Sequence, residues 1–181
     1  MPVKYCDYAY IFNQPHENSL MKTQRAFSLI EMMVVIAIIT ILAGMAIPSY
    51  LNKIVREQIE AALPLSNLAK EPISALWKDQ QILIPDNQTA LLPVPEKIVS
   101  NLISSVKIEE GAIHMTFGNK ANGYLKNKVL TLRPAVVPDA AMVPVAWVCG
   151  NSEAPDKMSV MGTNRTTIDA KYLPLTCSAK K

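Results

Sequence analysis

The chain has 181 residues, half of them apolar and 6% aromatic, with a formal net charge of +3. That length holds one ordinary domain plus an appendage, and the apolar share is high enough to point to a membrane segment. Scattered Lys and Arg with few aromatics exclude both the basic footprint of a dedicated nucleic-acid binder and the stacking platform of a single-strand binder.

From Phe27 to Leu51 the chain reads FSLIEMMVVIAIITILAGMAIPSYL, with Glu31 as its only charge. As a helix, Phe27 to Pro48 would be about 33 Å long, enough to cross a bilayer core of about 30 Å. Apolar residues cover every side of it, so it is embedded in a membrane or buried in a larger assembly. Lys22 and Arg25 stand just before it and place that side in the cytoplasm. The bulk of the chain then lies outside. A secretory signal would be shorter and end in small residues at its cleavage site. Here the run is longer, continues into an amphipathic stretch, and has its small residue in front. Glu31 costs about 2.5–3.5 kcal/mol on insertion scales, which argues for a function. Snorkelling near the membrane surface is the bland alternative. A cut before Phe27 would create an α-amino group one helical turn from Glu31, available to pair with it.

Beyond Pro48, Leu51, Val55, Ile59, Ala62 and Leu63 recur at helical spacing among Lys53, Arg56, Glu57 and Glu60, the pattern of an amphipathic helix. Pro48 lacks an amide hydrogen and, with Gly44, predicts a bend or weak point. Pro64 and Pro72 predict kinks or the end of the helix. Pro72 to Lys97 reads as a loop region with one short helical turn, in which Trp77 packs. Val106 and Ile108, the Glu110-Gly111 turn, then Ile113, Met115 and Phe117 predict a hairpin. Residues 118–123 form a loop, a strand follows from Lys128 to Arg133, and Val145, Trp147 and Cys149 share one face of another. The expected fold class is α+β, a long N-terminal α-helix packed against an antiparallel sheet of three to four strands.

Cys149 and Cys177 have no zinc-site spacing and no nearby His, and in an exported chain two late cysteines read as a disulfide. His16 and His114 are far apart, and a lone His114 on a strand is expected to be a surface or packing residue. No nucleophile motif, phosphate loop or paired carboxylates are present, so no catalytic, cofactor or metal site is expected. Glu109 and Glu110 are expected to be solvated charge at a turn. Asn87-Gln-Thr89 and Asn164-Arg-Thr166 match a glycosylation pattern that is too short to carry weight.

The run Lys22-Thr-Gln-Arg-Ala26 followed by FSLIEMMVVIAIITILAGMAIPSY resembles the class III signal of type IV prepilins. The resemblance implies cleavage by a dedicated peptidase between Ala26 and Phe27, N-methylation of Phe27, assembly charge pairing by Glu31, and a helix break near Gly44 and Pro48. Two features depart from the family. Ala26 stands where Gly is usual, which predicts slower cleavage. The leader from Met1 is long, whereas Met21 would give the familiar short form MKTQRA. Translation is therefore expected to start at Met21, leaving Cys6 outside the protein. Removing residues 1–26 takes away three basic and two acidic residues and leaves the subunit nearly neutral.

The stretches EEGAIHMTFGNKANGYLKNKVLTLRPAV, VAWVC and AKYLPLTC are similar to the sheet and C-terminal region of type IVa pilins. The resemblance implies that Cys149 and Cys177 close this region and that Asn151 to Leu173 form an exposed loop on a fibre. The expected organisation is a leader at 1–26, a transmembrane and assembly helix at 27–51, and the amphipathic half of the helix with its kinked end at 52–78. A connecting loop follows at 79–104 and a sheet head with its disulfide-closed loop at 105–181.

The implied function is that of a pilus subunit, its N-terminus cytoplasmic in the bacterial inner membrane before assembly and the chain extracellular after it. Its implied partners are other pilin subunits, the prepilin peptidase and methyltransferase, and an inner-membrane assembly platform driven by an ATPase. The fibre would serve adhesion, twitching motility or DNA uptake. Polymerisation multiplies modest local charge, which keeps weak contact with DNA or a host surface open. A minor pilin or pseudopilin shares the N-terminal signal, and abundance in sheared fibres separates it. A membrane-anchored binding module that never polymerises would need neither the cut before Phe27 nor Glu31.

Overall fold

The computed structural model describes residues 27–179, and for 46–49 the backbone alone. The chain divides into two compact units, Met1–Ile41 and Leu42–Lys181. In the first, the described side chains are all exposed, and from Leu29 they belong to helix α1 (Leu29–Ala62). Branched residues such as Val34, Val35 and Ile36 are only moderate helix formers in water. A helix is nevertheless the form that satisfies a backbone within its own segment when the surroundings are apolar. Glu31 lies in the first turn, where a carboxylate complements the helix dipole. Thr40 Oγ1 donates to the Ile36 carbonyl at 2.7 Å, so the hydroxyl is also satisfied within the helix.

In the second unit, α1 leads through a 3-10 turn (Leu63–Ser66) into α2 (Asn67–Gln80). The buried positions are Val55, Ile59, Ala62, Ser66, Ala69, Ile73 and Trp77, spaced three and four apart along one stripe. Leu51 stays exposed. The expected loop from Pro72 is corrected here, because α2 carries Pro72 inside it and runs on to Gln80. A proline within a helix costs about 3 kcal/mol. Burying large side chains such as Ile73 and Trp77 returns about 1.5–3 kcal/mol each, so the stripe prevails. Pro72 deprives the Leu68 carbonyl of its partner, and Leu68 lies on the exposed side where water can reach. Gln81, at φ +56°, ends the helix by donating its N–H to the Trp77 carbonyl at 2.9 Å.

The segment after α2 is pinned by Asn87. Its Nδ2 donates to the carbonyls of Pro93 at 3.2 Å and Val106 at 2.9 Å, and its Oδ1 accepts the Ile108 N–H at 2.7 Å. This buried amide is occupied, so Asn87 is expected to remain unglycosylated in the folded protein. Asn87→Ala should cost about 2–4 kcal/mol in denaturant unfolding, since buried partners are left unpaired.

The sheet is antiparallel in the order β1 (Ile103–Glu109), β2 (Ala112–Phe117), β3 (Val129–Val136), β4 (Ala146–Cys149), and a two-residue β5 (Ser159–Val160) also pairs with β3. Glu110 and Gly111, both at positive φ, close the β1–β2 hairpin as a two-residue turn whose twist matches its strands. Ile103, Val106, Ile108, Ile113, Met115 and Phe117 turn inward and share one core with Val55, Ile59 and Ile73. The strand expected to stop at Arg133 continues to Val136 through Pro134. Leu132 pairs with Ile113 near the start of β2, so Pro134 lies past the end of that strand. Its missing N–H removes no bond to β2, and its carbonyl accepts the Met161 N–H at 2.9 Å.

Candidate functional site

The first candidate site is the apolar helix. Phe27 is 73% exposed, and Leu29, Ile30, Ile36, Ile39 and Leu42 are exposed with it. A contiguous apolar surface of this kind marks a membrane or protein contact. Among the described residues, one helix is long and apolar enough to cross a membrane. Glu31 is the sole charge in its apolar part. Helical backbone continues across Gly44 and Pro48, so neither residue ends α1. A proline removes one hydrogen bond without preventing the turns on either side from forming. A Cβ on Gly44 would meet nothing within 4 Å, so packing inside the subunit does not require its smallness. Ala26 lies outside the described residues, as do Met21, Lys22, Arg25, Cys6, His16 and the side chain of Pro48.

The second is the C-terminal edge of the sheet. Cys149, at the end of β4, is bonded to Cys177 in the last 3-10 turn, their Cα atoms 4.4 Å apart and 28 residues apart in sequence. Gly150 turns the chain at φ +54°, donating its N–H to the Thr131 carbonyl at 2.8 Å. A Cβ there would stand 2.8 Å from the Cys177 carbonyl oxygen, so this tight approach requires glycine. The enclosed segment is exposed over much of its length, yet it is anchored along β3. Thr131 N–H donates to Thr166 Oγ1 at 3.1 Å, Val129 N–H to Thr167 Oγ1 at 2.9 Å, and Thr167 N–H to the Val129 carbonyl at 2.9 Å. Asn164 is exposed and its amide spans Asn151 Oδ1 and the Thr166 N–H.

Glu109 departs from the solvated charge expected of it. Its carboxylate meets Lys107 Nζ at 3.3 Å and Arg165 Nη2 at 2.6 Å. The Lys107 hydrogen bond is the chief cause holding Glu109 below the usual carboxylate range, with the charges of Arg165, Lys107 and His114 adding to it against a smaller opposing effect of burial. Beside it His114 is buried, with Nδ1 3.0 Å from Thr131 Oγ1. Burial pushes the imidazole below its ordinary value; Arg165 and Lys107 add to this, while Glu109 opposes it. Below about pH 6.5 the folded chain therefore binds fewer protons at His114 than the unfolded chain. This contribution to stability is complete above that pH and is lost as pH falls through the lowered value. Unfolding free energy, and the melting temperature with it, should drop from pH 7 to 5, the free energy by at most about 1.4 kcal/mol per pH unit for one proton, and His114→Gln should flatten the drop. Thr131, Thr166 and Arg165 carry no local sequence signal, because each acts on residues 34 to 56 positions away.

The family model described as Pilin (bacterial filament) matches residues 55–178, and that of the prokaryotic N-terminal methylation motif matches residues 21–47. A type IV major pilin protein PilE of Neisseria gonorrhoeae is 32% identical over 160 residues, covering 85% of this chain and 93% of the relative. A fimbrial protein of Moraxella nonliquefaciens is 48% identical over 155 residues, covering 85% and 96%. Fimbrial protein EcpC of Eikenella corrodens is 31% identical over 163 residues, covering 87% and 93%.

A long apolar helix followed by an antiparallel sheet with a disulfide at its edge is the α+β fold of a filament subunit, and the chain belongs to the type IV pilin family. It is a structural subunit of a type IV pilus, made as a membrane-anchored precursor with a class III signal. It assembles into pilin polymers and is processed by prepilin peptidase through its methylation motif.

Proposed function

We propose that this chain is a major-type subunit whose assembly is directed by the start of its apolar helix. Residues 1–26 are removed between Ala26 and Phe27, Phe27 is methylated, and its new amino group pairs with Glu31 within or between subunits. Before assembly the chain crosses the inner membrane once with its N-terminus in the cytoplasm. A platform and its ATPase then move it into the fibre. Residues 27–51 form the fibre core, 52–78 join core to head, 79–104 connect, and 105–181 coat the outside. Gly44 and Pro48 form the weak point at which the helix yields on assembly. The fibre serves adhesion, twitching motility or DNA uptake.

One observation carries this reading: an exposed apolar helix bears a single carboxylate in its first turn. Outside lipid, such a surface can be buried only against other copies. A carboxylate in that core is tolerated only with a partner. Mass spectrometry of protein sheared from the cell surface tests it. An N-terminus at methylated Phe27, with Cys149 and Cys177 oxidised, is the expected result. Protein absent from filaments and held in the membrane would overturn the major-type assignment, and a retained leader would overturn the processing.

A further inference from the structure

β1 is an edge of the sheet, paired with β2 alone, and its seven residues outnumber the four of β4 at the opposite edge. A long edge strand invites another chain to add to it. The two-residue turn makes Glu109 and Ala112 a hydrogen-bonded pair, so alternation along the ladder turns the N–H and C=O of Val106 and Ile108 away from β2. A parallel strand laid on this edge would accept from Ile108 and donate to Val106. Asn87 does both with one side chain: Oδ1 accepts the Ile108 N–H at 2.7 Å, and Nδ2 donates to the Val106 carbonyl at 2.9 Å. The Pro85 and Ile84 carbonyls extend the cover, accepting the N–H groups of Glu110 at 3.2 Å and Gly111 at 2.8 Å. At the far end the Ser100 N–H donates to the Ile103 carbonyl at 2.9 Å.

The covering segment, residues 84–100, is a strap fastened at few points. Ile84, Asn87, Ala90 and Ile98 are buried, whereas Leu91, Val94 and Val99 are exposed. A cleft of about 310 Å³, lined by Leu92, Val94, Pro95 and Ile108, opens beside Asn87. Leu91 sits at φ +56°, an uncommon setting for a leucine. The N–H groups of Ala90, Leu91 and Leu92 donate to the carbonyls of Asp86, Gln88 and Asn87, so these bonds travel with the strap when it lifts. Few buried contacts and self-contained bonds mark a segment that opens as a unit. Since the chain assembles into polymers, a second β1 is held at high local concentration.

We propose that residues 84–100 form a separable strap, caught by Asn87, that keeps the β1 edge from pairing with β1 of a second copy. Hydrogen exchange of the detergent-solubilised full chain tests the strap. The amides of Ile108, Glu110 and Gly111 should exchange together, at least about tenfold faster than those of Phe117 and Gly150, which bond to Lys128 and Thr131 outside it. Fluorescence anisotropy with a labelled peptide of residues 103–109 tests the edge. The peptide should bind Asn87→Ala saturably and the parent at least about tenfold more weakly. Leu130→Ala, a truncation in the β3 core measured where it is equally folded, should behave like the parent, which separates an open edge from general loosening. If Asn87→Ala fails to fold, exchange in the parent decides. Exchange of the three amides at the rate of Phe117 and Gly150, no peptide binding to folded Asn87→Ala, or equal binding to the parent or Leu130→Ala overturns the proposal.

Discussion

Replacing Glu31 with Ala is expected to clear fibres from the cell surface while the protein stays in the membrane. The substitution makes the helix more apolar, so insertion should improve by about 2.5–3.5 kcal/mol. Assembly runs the other way. In a fibre core built from these helices, the amino group freed at Phe27 would lose its carboxylate and be left as an uncompensated charge. Removing one member of a buried pair costs about 3–5 kcal/mol, which converts to roughly a hundredfold or more in the equilibrium for adding each subunit. Immunoblots of sheared and membrane fractions should show filament yield down at least tenfold with the membrane pool intact. Normal fibres from Glu31→Ala would mean that the pairing does not direct assembly. Glu31→Gln separates charge from hydrogen bonding, and it should be defective as well.

Opening the Cys149–Cys177 bridge by the paired substitution to Ser should lower head stability by roughly 3–4 kcal/mol, the chain-entropy value for a closed loop of this length. For a unit of this size that is a fall of about 10–20 °C in melting temperature. The bridge joins the end of β4 to a turn whose Cys177 carbonyl also accepts the Asn151 N–H at 2.9 Å. Its loss therefore frees the end of the enclosed segment as well as the cross-link itself. Denaturant unfolding of the detergent-solubilised full chain, parent against variant, measures the difference. A loss below about 1 kcal/mol would show that Thr166, Thr167 and β5 hold the segment without the bridge.

The apolar helix, its lone carboxylate and the Glu110-Gly111 hairpin were legible in the sequence, because each rests on neighbours a few residues apart. Helical crowding, turn chemistry and strand alternation are local properties, and they do not depend on what the element meets. Pro72 was misleading for the same reason, and the strand expected to end at Arg133 stops just short of another proline, Pro134. A proline's lost bond is visible at once in the sequence, whereas what offsets it lies elsewhere in the chain. At Pro72 the offset is the burial of Ala69, Ile73 and Trp77. At Pro134 the carbonyl still accepts Met161 N–H beyond the end of β2. The ion pairs of Glu109 and the Thr131–Arg165 contact join strands to a segment up to 56 residues later, and no spacing rule reaches that far. Thus the sequence by itself determined an apolar helix of membrane-crossing length with one charge, and an antiparallel head. Only the tertiary structure decided how far α2 and β3 run and how the outer face of the sheet is charged. Local preferences are properties of a segment, while burial and ion pairing belong to the surfaces that folding brings together.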